Sequence, residues 1–215
     1  MVSQKKVFQT RTEEFFNSLT HGIGAGLAIA ALVVLVVLSS DVWRVVSFSV
    51  YGACLVALYL ASTFYHAFSS PELKRVFRIL DHSAIFLLIA GSYTPITLVA
   101  MKGAWGWTLF GLIWGFALVG LVLELFFIDR VRWLALVTYV GMGWLVVIAI
   151  KPLLHALPAG ALWWLAAGGV FYTGGIVFYL WKRLPFNHAI WHLFVLGGSA
   201  CHFFCFLFYI LPVSS

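Results

Sequence analysis

The sequence predicts an all-α fold: a bundle of seven transmembrane helices with the N-terminus cytoplasmic and the C-terminus outside. Three observations predict it. Charged residues make up 9% of the 215-residue chain and apolar residues 63%, against about 25% charged in a soluble domain. The mean hydropathy is +1.04, and the apolar residues collect in runs of about 20, the length that crosses ~30 Å of hydrocarbon. Lysine and arginine concentrate in alternate connectors, as they do when one face of a membrane is cytoplasmic. The chain reads as one domain, 1–215, with no internal repeat.

Residues 1–17 are expected to be a cytoplasmic N-terminal segment. Within "FQTRTEEFFNSLTH", Phe8, Phe15, Phe16 and Leu19 share one helical face, which suits an interfacial helix or a direct extension of the first span. The first apolar run begins near Gly22, after Glu13 and Glu14, and no small-residue cleavage site follows it, so it is retained as a span. The spans read as 18–38, 44–66, 80–101, 105–128, 133–150, 161–181 and 188–211. Between them lie "SSD", "SSPELKRVFR", "KGAWG", "DRVR", "KPLLHALPAG" and "KRLPFN". Prolines 71, 152, 158 and 185 punctuate these connectors, and Pro95 is expected to kink the third span. Gly141, Gly143, Gly168 and Gly169 suggest close helix packing. The three cysteines, Cys54, Cys201 and Cys205, sit inside apolar runs and read as small buried hydrophobes.

Placing the N-terminus inside puts ten of the thirteen Lys and Arg residues on the cytoplasmic side and leaves Arg44, Lys102 and Lys151 outside. The net charge of +6 therefore reports topology and contact with anionic headgroups. The expected partners are membrane lipids or a lipid-like substrate, and nothing in this charge calls for nucleic acid. Apolar surface that lipid can cover gives no guide to oligomeric state.

That orientation brings scattered polar residues to one depth. Span two ends inside with Ser62 and His66; span three begins inside with Asp81; span seven begins inside with His188 and His192; span one begins there with Asn17 and His21. His188 and His192 are four apart, so their rings leave one face on adjacent turns and can share a metal ion. Ser62 stacks one turn from His66 in the same way. A single membrane histidine is ordinarily a polar anchor, and an H-x3-H pair alone is a weak signal. Three imidazoles and a carboxylate converging at one level is a stronger one, because ionisable groups within spans are expensive.

Imidazole nitrogens suit Zn²⁺ better than Mg²⁺ or Ca²⁺, and a catalytic zinc keeps three protein ligands and one open position. His66, His188 and His192 supply those three. Asp81 is placed beside the bound water as acceptor or proton carrier, with direct coordination left open, and Ser62 beside it. His82 points about 100° away from Asp81 and is left out of the set. His155 is expected in an outside loop without a role. His202 lies ~21 Å along the helix from His188; it is read as bonding a neighbouring helix or lining an outer cavity. Glu124, near the inner end of span four that exits at "DRVR", is read as interfacial or paired with a nearby arginine.

"EEFFNSLTH", "STFYHAF", "LDHSAIFLLIAGSYTP" and "HAIWHLFVLGGSACHFF", in that order, resemble the hemolysin III-related branch of the progestin and adipoQ receptor family. The likeness spans nearly the whole chain. It implies seven helices, a cytoplasmic N-terminus and zinc held by His66, His188 and His192 near the inner face. It further implies that Ser62 and Asp81 are the polar pair shared with ceramidase-like membrane hydrolases, and that Glu14, Asn17 and His21 form a first motif of less clear role. The compact chain is similar to the bacterial members, which places it in the inner membrane, with a part in membrane lipid or energetic homeostasis.

The sequence leads to three readings of function. The first is a zinc-dependent intramembrane hydrolase of a lipid amide or ester. The second is a non-enzymatic lipid or membrane-state sensor, receptor-like, in which zinc ties spans two and seven together. A proton or ion pathway or a pore-forming hemolysin ranks below both, because the midplane lacks a continuous set of carboxylates and the chain is apolar throughout.

Overall fold

The computed structural model describes residues 9–127 and 132–212. It is all-helical over those residues and contains seven helices long and apolar enough to cross a membrane. α1 (Arg11–Val37) starts at a capping box: the Glu13 N–H donates to Thr10 Oγ1, and the Thr10 N–H donates to the Glu13 carboxylate. From that cap the helix runs unbroken into the first span. α2 (Val42–Ala67) is capped by Asp41, which accepts from the Trp43 and Arg44 N–H groups and pairs with the Arg44 guanidinium.

α3 (Pro71–Pro95) corrects the expectation that "SSPELKRVFR" is a connector. Pro71 stands in the first turn, where its missing N–H is not needed, and Glu72 complements the N-terminal dipole. The charged turns simply carry the helix beyond its apolar run. At Pro95 the helix does not stop: having no N–H for the carbonyl one turn back, it widens into a π-turn over Ile96–Met101. α3 is the most enclosed of the spans. α4 (Gly103–Phe127) follows a reversal in which Lys102 and Gly103 both take positive φ.

The fifth span is broken. α5 (Arg132–Gly143) ends before Trp144, a 3₁₀ turn covers Leu145–Ala149, and α6 (Ile150–Ala156) completes the crossing. "KPLLHALPAG" is thus largely helix, not connector, and His155 sits in α6 rather than in a loop. Pro152 is tolerated because it falls in the first turn of α6. The break is bonded to α3: the Tyr93 hydroxyl, 2.9 Å from the Met142 carbonyl and 3.0 Å from that of Gly143, also accepts from the Val146 N–H at 2.9 Å. A Cβ added at Gly141 or Gly143 would meet nothing within 4 Å, so these two glycines do not serve close packing as expected. α7 (Ala159–Leu180) and α8 (Asn187–Cys205, continued by a π-turn over Phe206–Ile210) finish the bundle. Here a glycine does serve packing: a Cβ on Gly168 would lie 2.5 Å from the His202 ring.

α1 packs on α2, α2 on α3 and α7 on α8 along most of their lengths, while the fifth span touches α3 and α4 only lightly. The main core joins Leu35, Phe48, Tyr51, Leu55, Phe206 and Ile210, and a second, smaller one joins Phe86, Tyr93, Ile113 and Met142. Where the fifth span stands off, a cavity of about 2160 Å³ enters the bundle from the end that holds the start of α1, the end of α2 and the start of α8. Its floor and walls are the setting of the site.

Candidate metal centre

Two helix ends supply the three histidines of the centre. His66 lies in the last turn of α2, and His188 and His192 lie in the first two turns of α8. The chain enters α8 through Phe186, whose left-handed φ of 56° turns it back into the bundle. Asn187 then fixes the start of α8 by donating its amide to the Phe178 and Tyr179 carbonyls in the last turn of α7. Glu13 of α1 accepts the Phe186 N–H at 3.2 Å, so three helix ends converge through their own backbone needs.

His66, His188 and His192 each offer a nitrogen within 4.8 Å of the others. His66 Nε2 and His188 Nε2 are 3.2 Å apart. Bonds of about 2.0–2.1 Å at tetrahedral angles place ligand nitrogens roughly 3.3 Å apart, so little movement would seat a metal ion. His66 and His192 are buried; His188 is enclosed but borders the cavity.

The ring orientations are set from behind. Glu14 Oε2 lies 2.5 Å from His66 Nδ1, and Lys74 Nζ donates to the other oxygen of Glu14 at 2.6 Å. A carboxylate only accepts, so Nδ1 carries the proton and Nε2 presents its lone pair. His192 Nδ1 lies 3.1 Å from the Asn17 backbone carbonyl and 3.1 Å from Thr20 Oγ1. A carbonyl also only accepts, so His192 again turns a bare Nε2 inward. That Nε2 is buried without a hydrogen-bond partner. An orphaned imidazole lone pair on His192, beside a His66 ring whose far nitrogen is likewise anchored by an acceptor, is the arrangement that metal-ligating histidines adopt. The donor set therefore fits a metal ion.

Glu14 and Asn17 thus stand behind the ligands, at i and i+3 on one face of α1. His21, the third residue of that motif, stacks flat on His192 with ring centroids 3.5 Å apart and 13° between planes. Both His21 nitrogens are buried without partners, and it is not one of the three metal-competent histidines. Asp81 is buried with Ser62, His66 and His82 as its polar neighbours. Ser62 is fully buried, and its Oγ makes no hydrogen bond of ordinary geometry. The residues expected at one depth are brought together.

Other expectations are corrected. Glu124 is buried rather than interfacial; the Tyr139 hydroxyl donates to it at 3.5 Å and His82 Nδ1 lies 3.7 Å away. Arg130 lies outside the described residues. His202 packs edge-on against the Tyr172 ring of α7, centroids 5.4 Å apart, and borders the cavity; its Nδ1 is buried without a hydrogen-bond partner. Thr20 and Lys74 were not foreseen as site residues. Thr20 adjoins the motif residue His21, but only the docking of α1 against α8 turns its hydroxyl to His192.

Residues 9–203 match the haemolysin-III related family. The chain is 50% identical over 206 residues to Hemolysin-3 of Bacillus cereus, covering 94% of each chain. It is 46% identical over 207 residues to the Hemolysin-3 homolog of Bacillus subtilis, covering 95% of this chain and 97% of that one. It is also 29% identical over 198 residues to the human monocyte to macrophage differentiation factor, covering 89% and 82%. The branch read from its motifs is the one these likenesses give, and the chain belongs to the haemolysin-III related family of integral membrane proteins.

Proposed function

We propose that His66, His188 and His192 hold a zinc ion and that the protein is a zinc-dependent hydrolase of an amide or ester bond in a membrane lipid. The observation that carries this reading is the trio of inward-turned imidazole nitrogens beside a buried carboxylate and hydroxyl, open to a cavity large enough for an acyl chain. Borderline-soft nitrogen donors favour zinc over the oxygen-seeking divalent ions. Zinc bound there would polarise the scissile carbonyl and lower the pKa of water toward ~7.

The chain's own residues do the rest. Asp81 accepts the proton of the attacking water and delivers it to the departing nitrogen or oxygen as the carbon–nitrogen or carbon–oxygen bond breaks. The products are a fatty acid and an amine or alcohol. Ser62 donates its hydroxyl proton toward the developing oxyanion. Leu88, Ile96 and Leu165 wall the cavity that would take the acyl chain. With the N-terminus inside, the centre faces the cytoplasmic leaflet of a bacterial inner membrane, and the activity serves membrane lipid homeostasis.

A second reading has an observation of its own: Glu14, His66 and Lys74 already join α1, α2 and α3, so the same ion could act as a brace in a lipid sensor. The experiment is elemental analysis of detergent-purified protein beside the His188→Ala/His192→Ala variant, followed by incubation with lipid amides and esters. Stoichiometric zinc, lost in the variant, with zinc-dependent release of fatty acid, supports the hydrolase. Zinc without turnover would favour the brace. A metal-free wild type, folded and never exposed to chelator, would overturn both.

A further inference from the structure

We infer that the cavity carries a second polar station, formed by His202 and Tyr172, and that its occupant is an acyl chain bearing a hydroxyl group about ten to twelve carbons from its polar head. This names a specificity determinant for the proposed hydrolase. It rests on that reading for placing the head at the metal centre, though not for recognition of the hydroxyl.

His202 follows His192 by ten residues on α8, which sets it ~15 Å further along the helix axis, and it lines the same cavity. Its ring lies over Gly168 of α7, where a Cβ would fall 2.6 Å from Nε2. Nδ1 is enclosed without a hydrogen-bond partner. The Leu165 carbonyl is a polar neighbour of the ring but makes no bond of ordinary geometry with Nδ1. Since one nitrogen of a neutral imidazole donates and the other accepts, the ring keeps unused hydrogen-bonding capacity deep in the bundle. Tyr172, edge-on to it, has capacity of its own. The Tyr59 hydroxyl donates to Ser199 Oγ at 2.8 Å, and the Tyr172 hydroxyl lies 2.9 Å from that same oxygen. The Tyr51 hydroxyl is directed to the Ser199 carbonyl, 3.5 Å away. The Tyr59, Tyr172 and Ser199 hydroxyls thus share two bonds, and one of their protons has no acceptor among the described residues. With Ser199 donating to Tyr172, the spare proton belongs to Tyr172, which lines the cavity.

Bonding between helices accounts for Tyr59 and Ser199, because such hydroxyls tie membrane helices together. It does not account for His202, which joins none of these bonds. An imidazole without a partner in an apolar setting costs free energy, and ionisable residues within spans mark ligand pathways. Between the metal centre and His202 the wall includes Leu88, Ile96, Leu165 and Val195. Other hydroxyls on the wall are engaged. Ser92 donates to the Ile89 carbonyl, Tyr93 holds the break in the fifth span, and Thr173 accepts the Trp144 indole N–H. A chain hydroxyl placed between Tyr172 and His202 accepts the tyrosine proton and donates its own to the imidazole. About twelve extended methylenes span ~15 Å, and the reach of the head to the ion shortens that by one or two.

The test is displacement of tritiated stearic acid from the zinc-loaded protein in neutral detergent, a fatty acid being a product that undergoes no turnover. The competitors are stearic acid and its derivatives hydroxylated at carbon six, ten or twelve. The better of the ten- and twelve-hydroxy acids should bind at least about fivefold more tightly than stearic acid, the effect of one net neutral hydrogen bond. The six-hydroxy acid, whose hydroxyl meets the apolar wall, should show no gain. His202→Phe and Tyr172→Phe should each keep the affinity for stearic acid, showing an intact cavity, and lose most of the gain. Equal affinity for stearic acid and both mid-chain hydroxy acids would overturn the proposal and leave the station to a resident water. So would an equal gain at carbon six, or a gain that survives both substitutions. Loss of stearic acid binding in both variants would make the pair part of the frame and overturn it likewise. Zinc-dependent hydrolysis of stearoyl amides with no hydroxyl preference in binding would sink this inference and keep the hydrolase; a hydroxyl preference in a protein without turnover would do the reverse.

Discussion

Glu14 reaches His66 with its carboxylate, whereas Asn17 offers His192 only its backbone carbonyl. The two motif residues should therefore respond differently to substitution. Glu14→Gln keeps the shape but removes the charge behind Nδ1, and zinc affinity should fall about 10–100-fold, as for other partners behind metal-bound histidines. Asn17→Ala leaves the carbonyl in place and should cost much less; competition with a chromogenic chelator measures both. Loss of affinity in Asn17→Ala equal to that in Glu14→Gln would contradict the assignment. His21 makes the opposite case. Its nitrogens lack partners, and such orphaned polar groups cost about 1–3 kcal/mol each. His21→Phe should therefore keep the stack on His192, retain zinc and unfold no earlier; a fall in zinc content would show His21 to be a ligand. The histidine trio was legible in the sequence because a four-residue spacing and a shared depth along the spans are both one-dimensional facts. The role of Glu14 was not legible. It acts across 52 positions, and only the docking of α1 against α2 decides which side chain stands behind His66.

Among the elements, the fifth span differs most from its reading in the sequence. Apolar content marked where it crosses, but nothing in "GMGWLVVIAIKP" announced a helix that breaks, turns as 3₁₀ and resumes. The break is held by one hydroxyl on another helix, a tertiary fact. Tyr93→Phe should consequently lower stability by about 1 kcal/mol, since it strands the half-buried Val146 N–H; thermal unfolding in detergent would read this. An unchanged midpoint would mean that water or the neighbouring turn satisfies the break. The glycines test the same point from the other side. Gly141→Ala should be neutral or stabilising by up to ~1 kcal/mol, because nothing stands near the added methyl. Gly120→Ala would drive a methyl to 2.3 Å from the Phe86 ring and should destabilise instead. The ends of α3 and α6 were misplaced for a related reason. Pro71 and Pro152 look like breakers in a string of letters, but each stands in a first turn, where the missing N–H costs nothing.

For the molecule as a whole, apolar run length sufficed to count seven spans, because bilayer thickness fixes it. The cavity could not be read in the same way, since it depends on how far the fifth span stands from its neighbours. Orientation lies between these cases: it is written in the charges, and the bundle converts it into a statement about which leaflet the metal centre meets. The start of α1, the end of α2 and the start of α8 share one end, so whichever side holds the N-terminus holds the histidines. From the ten-to-three division of lysine and arginine we propose that this end is cytoplasmic. Ser40, exposed between α1 and α2, then lies outside, and Ser69, exposed between α2 and α3, lies inside near the mouth of the cavity. Cys201 and Cys205 are buried and Cys54 is partly so, which gives a low background for thiol chemistry. In intact cells a membrane-impermeant maleimide should label Ser40→Cys and spare Ser69→Cys; after permeabilisation both should react. The reverse pattern would turn the bundle over and place the centre against the outer leaflet. The cytoplasmic hydrolase would then have to be abandoned even if zinc were present.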